Sequence, residues 1–128
     1  MLVRQAASAT PAVPIPTFVL VRDVASAVPV LVTIDDGRPS VRADALMKAM
    51  GGVLITSTNL HYTLSLPRMR LDLIDGIPFA KLDTVTVPLA QPPQVRGGQL
   101  YVPFQLVSQG IPKYGGGYFY DASLGELR

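Results

Sequence analysis

The sequence contains no cysteine, one histidine and one glutamate, and these shortages exclude several kinds of catalytic site. Without cysteine there is no disulfide, no thiolate metal ligand and no cysteine nucleophile. A zinc hydrolase centre needs several His and Glu ligands, which His61 and Glu126 alone cannot supply. We therefore predict that the chain is not an enzyme and that it holds no metal or cofactor. We interpret His61 as an ordinary edge or surface histidine, with a ligand role shared with a partner as the weaker alternative.

The sequence also lacks a long hydrophobic run and a strong excess of either charge. The longest apolar stretch, 27–34, has the length of a strand and falls short of the roughly 18 residues that cross a bilayer. The formal net charge is +2, and the basic residues are scattered between acids. Nucleic-acid-binding domains instead cluster Lys and Arg among aromatic residues. We expect neither a membrane span nor a nucleic-acid partner.

What is present is typical of one globular domain, because 48% of the 128 residues are hydrophobic and 16% are charged. Residues 1–16 are rich in Ala, Pro, Ser and Thr, which predicts a disordered linker or terminus. Residues 17–128 are predicted to form a single domain. Its last residues have the pattern of a strand, so we expect the chain to be a fragment of a longer protein.

Hydrophobic periodicity predicts an α+β fold, mainly antiparallel sheet with two short helices. Ala43, Leu46, Met47 and Met50 lie at helical spacing within 38–52, and Gly51-Gly52 is typical of a helix end. Alternating apolar residues predict strands at 17–23, 28–34, 53–56, 61–66, 69–79 and 84–89, with Asp-Gly turns at 36–37 and 75–76. We attribute the carboxylate pairs Asp35/Asp36 and Asp72/Asp75 largely to turns rather than to a glycosidase acid–base pair.

The sequence indicates two related turn–strand–helix halves. A shift of 61 residues superposes Gly37 on Gly98 and Val41 on Val102. It also places the apolar positions of the first helix on Phe104, Val107 and Ile111. Few residues are identical, but the order of glycine turn, short strand and short amphipathic helix is the same. The pattern predicts an internal repeat.

The second half resembles a known family. "GGQLYVPFQLVSQGIP" (97–112) is similar to the "YVPLR" signature of the copper amine oxidase N-terminal-like domain, also called the stalk domain. The preceding residues 75–98 resemble versions found ahead of the catalytic domain of bacterial N-acetylmuramoyl-L-alanine amidases. The likeness spans 28–128. It departs from the family where Arg42 replaces a proline and where Gly110 and Pro112 interrupt the second helix.

The resemblance implies a non-catalytic module of exported or cell-surface proteins that is not itself a copper site. We therefore expect a location in the bacterial cell envelope or outside the cell, and a zinc amidase as the parent protein. The expected function is to position or target a peptidoglycan amidase at the cell wall, with peptidoglycan or the parent's catalytic domain as partner. The alternative is a structural spacer or assembly domain of a surface protein, one that forms homo-oligomers and binds no glycan.

One stretch is a candidate for binding. Residues 113–121 place Tyr114, Tyr118 and Tyr120 around three glycines, and tyrosine rings can lie against sugars while their hydroxyls hydrogen-bond. These three tyrosines are candidates for a glycan or partner contact. The interpretation that the sequence favours is a closing strand with Phe119 inward, Tyr118 and Tyr120 on the opposite face, and an Asp-Ala-Ser turn at its end; an exposed tyrosine face on that strand could serve both roles.

Overall fold

The computed structural model describes residues 18–22, 27–35, 37–58, 60–82, 84–114 and 117–128. The predicted linker over 1–16, residue Asp36 and residues 115–116 lie outside this part of the chain. The described strands form two sheets, and the predicted α+β class is confirmed. The strands are β1 (Phe18–Arg22), β2 (Ala27–Asp35), β3 (Arg38–Arg42), β4 (Val53–Thr56), β5 (His61–Ser65), β6 (Arg70–Ile74), β7 (Phe79–Leu82), β8 (Val85–Pro88), β9 (Gln94–Arg96), β10 (Gln99–Pro103), β11 (Tyr120–Asp121) and β12 (Glu126–Leu127).

The larger sheet has the order β11-β12-β1-β2-β3-β10-β9. Its neighbours are antiparallel except for β1 and β12, which run parallel with Leu20 opposite Glu126. The smaller sheet is an antiparallel meander in chain order, β4-β5-β6-β7-β8. Apolar side chains from both sheets and from the helical segments belong to one buried cluster. The two sheets therefore share a core.

The first helix, α1 (Ala43–Met50), follows β3 directly and forms where the apolar spacing predicts it. Ala43, Leu46 and Met47 are buried, so the helix presents one face to the core. The helix ends at Gly51, whose φ of 75° lies in the left-handed region that glycine adopts without a Cβ clash. The N–H of the next residue, Gly52, then donates to the Met47 carbonyl at 2.7 Å.

The second helical segment contains a π-helical turn (Leu106–Gly110) that continues into α2 (Ile111–Tyr114). The wider turn is closed by the Ile111 N–H, which donates to the Leu106 carbonyl five residues earlier. Pro112 has no N–H, and in an α-helix its ring would meet the Ser108 carbonyl. A π-turn just before the proline widens the backbone at that point, since such turns absorb local misfit. The predicted interruption at Gly110 and Pro112 therefore becomes a bulge and not an end.

The two turn–strand–helix halves meet at a pair of valines. Val41 of β3 lies opposite Val102 of β10, and neither has exposed surface. Outside this pair, β2 joins β3 and β9 joins β10 through glycine turns, where Gly37 has a φ of 76° and Gly98 a φ of 79°. In the central order β2-β3-β10-β9 the two halves are therefore related by an approximate two-fold axis between the two valines. Val41 and Val102, which the 61-residue shift equates, are direct neighbours in space, and the other equated positions of β3 and β10 lie on opposite sides of this axis.

The helices of the described residues are too short to cross a bilayer, in agreement with the sequence prediction.

Candidate functional site

The outer face of the smaller sheet carries an open groove of about 610 Å³, here called the meander groove. It exists because residues alternate along β5, β6 and β7: Leu64, Leu71 and Leu73 point into the core, and their neighbours point outward. The groove is lined by Ser57, Thr58, His61, Tyr62, Thr63, Asp72, Ile74, Phe79 and Lys81. Three adjacent strands and the β4–β5 turn therefore contribute to one surface.

Strand register fixes the polar groups of the meander groove beside one another. Thr63 lies opposite Asp72, and Asp72 lies opposite Lys81 on the next strand. The Thr63 hydroxyl donates to an Asp72 carboxylate oxygen at 2.8 Å. The groove thus contains a carboxylate held by a hydroxyl, with a cationic side chain on the neighbouring strand. Across these neighbouring strands the carboxylate can accept hydrogen bonds from a ligand and the ammonium can donate hydrogen bonds to it.

An aromatic ring completes the meander groove. Phe79 begins β7 on the same outward face as Lys81, and its side chain is 52% exposed. Ile74, 36% exposed, lies across the sheet from His61. His61 is itself exposed, as predicted for a surface histidine. A flat apolar surface next to hydroxyl, carboxylate and cationic groups suits a ligand with an apolar face and polar edges.

The arrangement offers binding groups rather than a metal centre. Within the described ranges, no three His, Cys, Asp or Glu side chains lie close enough together to hold a metal ion. The sequence singles out Asp72 and His61 separately and gives no sign that they share a groove. Sequence reasoning missed Phe79, Lys81 and the hydroxyl residues as parts of one site. The available signal was the polar half of the alternation in 61–66 and 69–79.

The three tyrosines proposed from the sequence lie elsewhere, at the end of α2 and along β11. Tyr114, Tyr118 and Tyr120 are each half-buried and pack against the core cluster. The Tyr120 ring meets the Phe104 ring edge-to-face, with centroids 5.8 Å apart. Burial, with a smaller contribution from the Asp121 carboxylate, raises the pKa of Tyr120 above its ordinary value. These rings are therefore packing residues that expose only part of their surface.

The predicted direction of Phe119 is wrong. Phe119 is 58% exposed, whereas Tyr118 and Tyr120 on either side pack inward. Its backbone is paired, because the Phe119 N–H donates to the Arg128 carbonyl at 2.9 Å and the Arg128 N–H returns a bond at 2.7 Å. The strand therefore exists as predicted but with its faces exchanged. Contact between Tyr120 and Phe104 fixes that phase, since either set of aromatic side chains could have filled the core.

The Asp-Ala-Ser turn after this strand is confirmed. The Asp121 carboxylate accepts hydrogen bonds from the Ser123 hydroxyl at 2.6 Å and from the Ser123 N–H at 3.0 Å. The Ser123 hydroxyl bond is the main reason that the pKa of Asp121 is lowered from its ordinary value. Arg128 lies near this carboxylate, with its guanidinium 3.7 Å from Asp121 and 3.1 Å from Glu126. Arg128 thus links the carboxylates of β11 and β12 by charge.

Tyr114 lines a second, smaller cavity. Its volume is about 170 Å³, and it lies where β8 meets the second helical segment, with Pro88, Gln105 and Lys113 in its walls. Lys113 also lies over the Tyr114 ring, its ammonium 5.3 Å from the ring centroid. Tyr114 therefore lies beside both a cavity and a cationic side chain.

Arg42, which stands where the resembled family has proline, secures the start of α1 by charge. Its guanidinium makes two hydrogen bonds to Asp44, at 2.6 and 3.0 Å. This contact lowers the pKa of the Asp44 carboxyl and raises that of Arg42. Both side chains remain about two-fifths exposed, so the pair adds little stability and mainly orients the chain.

Comparison with known proteins finds no matching family model, no matching curated protein and no matching solved structure. The resemblance to the stalk domain therefore stays a prediction from the residues that carry it.

Proposed function

We propose that this protein is a non-catalytic module of the bacterial cell envelope that positions or targets a peptidoglycan N-acetylmuramoyl-L-alanine amidase at the cell wall. The observation that carries the proposal is the lining of the meander groove. There an exposed Phe79 ring lines the same groove as the Asp72 carboxylate, the Lys81 ammonium and the His61 imidazole. The resemblance of residues 97–112 to amidase-associated stalk domains supports the same function.

The chemistry of peptidoglycan matches these groups. Its sugar rings have flat faces of C–H groups, which pack on an aromatic ring, and edges of hydroxyl and amide groups. Its short peptides carry carboxylates, which the Lys81 ammonium attracts and to which the His61 imidazole can donate a hydrogen bond. Asp72, held by the Thr63 hydroxyl, accepts hydrogen bonds from the ligand's donors. The open shape of the groove allows a polymer to pass along the sheet.

Co-sedimentation of the full chain with purified peptidoglycan sacculi tests the proposal. We expect the wild-type chain to sediment with sacculi and Phe79→Ala to lose most of that binding. Phe119→Ala is the matched control, because Phe119 is equally exposed, at 58% against 52%, and lies outside the meander groove. Lys81→Ala should weaken binding more at low salt than at high salt, since the contribution of the Lys81 ammonium is electrostatic and is screened by salt.

The other outcomes are equally informative. Binding that survives Phe79→Ala but is lost in Tyr114→Phe would move the site to the tyrosine segment, because removing the hydroxyl leaves the packing of the ring in place. A wild-type chain that stays in the supernatant would overturn glycan targeting.

A second candidate function, a spacer or assembly domain without glycan binding, is supported by a different observation. The edge strand β4 of the smaller sheet is apolar, and in the part of the chain that the structure describes it pairs on one side only.

A further inference from the structure

The edge strand β4 has the properties that folded proteins normally avoid at a sheet edge. Within the described residues its one neighbouring strand is β5. Its sequence, Val-Leu-Ile-Thr, contains no charged residue and no proline, and Val53 and Ile55 are 59% and 38% exposed. Edges are usually protected by charge, proline or very short length because they can pair with another chain. This edge is short, with four residues, but it is protected by neither charge nor proline.

The opposite edge of the same sheet, β8, is protected. The Leu89 N–H donates to the Pro78 carbonyl, in the same register that pairs Pro88 with Phe79. Since N–H direction alternates along an antiparallel strand, position 88 faces away from the sheet. Proline there presents no N–H to an incoming strand. One edge of the meander is thus closed to pairing and the other is open.

The direction of the outward backbone groups on β4 follows from the hydrogen bond to the start of β5 that lies just beyond the end of β4. The Ser57 N–H donates to the His61 carbonyl at 2.9 Å, in the register of the β4–β5 pair. By alternation, residue 55 also faces β5, whereas Leu54 and Thr56 direct their N–H and C=O groups outward. Two adjacent outward positions on one strand are what a symmetric antiparallel partner requires.

We propose that two copies of this chain pair through β4, antiparallel and about a two-fold axis at Ile55. In that register Leu54 of each copy pairs with Thr56 of the other. The N–H and C=O groups of both residues, four per copy, then all form hydrogen bonds between the copies. A two-fold at Leu54 would instead pair position 56 with Gly52, whose N–H already donates to Met47. The Ile55-centred register instead leaves no N–H or C=O group of Leu54 or Thr56 unpaired. The product is a continuous ten-stranded sheet.

The proposed axis passes between the two Ile55 side chains, which become a direct cross-strand pair on the outer face. Val53 of each copy lies diagonally beside that pair. The contact is short, because β4 has four residues, and stable interfaces bury about 1,200 Å² or more. We therefore expect a weak, concentration-dependent dimer.

The axis is perpendicular to the sheet, so both meander grooves lie on the same surface of the dimer. Insofar as the proposed glycan binding holds, two grooves on one surface would engage one polymer with a higher apparent affinity than a single groove. The dimer itself does not depend on glycan binding, and its test is separate.

Analytical ultracentrifugation of the full chain over a range of concentrations tests the proposal, with two proline variants as a matched pair. Thr56→Pro removes an outward N–H from β4, and Thr86→Pro removes one from β8. Both side chains are exposed, and both N–H groups face away from the sheet, so neither change breaks a strand pairing. We expect dimerisation of the wild type and of Thr86→Pro, and its loss in Thr56→Pro.

A cysteine pair provides the second measurement, because the chain has no cysteine of its own. Residues opposite each other at a non-hydrogen-bonded position lie about 4.5 Å apart between Cα atoms, within disulfide range. Ile55→Cys should therefore form a disulfide-linked dimer on mild oxidation. Val85→Cys, at the same kind of position on the protected edge and 47% exposed, should not. A wild type that is monomeric at all concentrations, or equal cross-linking of both cysteine variants, would overturn the proposal.

Discussion

The valine pair at the centre of the larger sheet allows a quantitative test of the fold. Val41 and Val102 are direct cross-strand neighbours with no exposed surface. Replacing either by Ala removes two buried methyl groups, which costs about 1.6 kcal/mol of transfer free energy. The remaining void adds roughly 1 kcal/mol where the backbone cannot collapse around it. We expect each single variant to lose about 2.5 kcal/mol in its free energy of unfolding.

Urea denaturation followed by circular dichroism measures these changes. Both variants should unfold at a lower urea concentration with an unchanged slope, since the surface exposed on unfolding barely changes. Val95→Ala on the neighbouring strand β9 is the control: Val95 is 39% exposed, and its loss should be within about 0.5 kcal/mol. The double variant should deviate from additivity by about 0.5 kcal/mol or more, because the two voids adjoin.

Two results would refute this reasoning. A loss below about 1 kcal/mol in either variant would mean that the position is not closely packed. Strict additivity in the double variant would mean that Val41 and Val102 do not share a contact across β3 and β10.

Three further perturbations test local features. Gly52→Ala should destabilise the fold by about 1–3 kcal/mol in urea denaturation, because a Cβ would lie 2.6 Å from the Ser65 carbonyl oxygen; a neutral result would contradict this packing. Leu60→Asn should stabilise it by about 1 kcal/mol and raise the Tm, because Leu60 has a φ of 65°, which asparagine tolerates better; a lower Tm would contradict the strain. The pKa of Asp121 is lowered in the folded state, chiefly by the Ser123 hydroxyl bond. The Asp121 carboxylate therefore stabilises the fold at pH values above the ordinary aspartate pKa, and this stabilisation is lost as the pH falls through the folded-state pKa. Acid unfolding of Asp121→Asn should depend less on pH than that of the wild type; an equal pH dependence would contradict this contribution.

Local structure could be predicted from the sequence where a single residue type decides it. Gly51 ends α1 because glycine alone adopts the left-handed conformation freely, and the Asp75-Gly76 turn forms for the same reason, with a φ of 83° at Gly76. The strand β4 begins and ends at the predicted residues. In these places sequence-local chemistry and tertiary packing favour the same conformation.

Structure that depends on distant residues could not be predicted in the same way. Nothing near Leu20 indicates a parallel partner at Glu126, and the division of the strands into two sheets has no local signal. The phase of Tyr118–Tyr120 was predicted wrongly because aromatic residues occupy both faces of that strand. The meander groove needed the register of β5, β6 and β7, which brings Thr63, Asp72 and Lys81 into one row.

The parallel pairing of β1 and β12 has a mechanical consequence. Because the two strands run in the same direction side by side, the chain enters β1 at one end of the pair and leaves β12 at the other. Tension applied between the segments that flank them would slide the strands past each other, so their hydrogen bonds would bear the force together and not break one by one. Neighbours on both sides, β2 and β11, hold the pair in the sheet. A tether built from this fold would therefore resist stretching along its length more strongly than it would resist peeling from an edge.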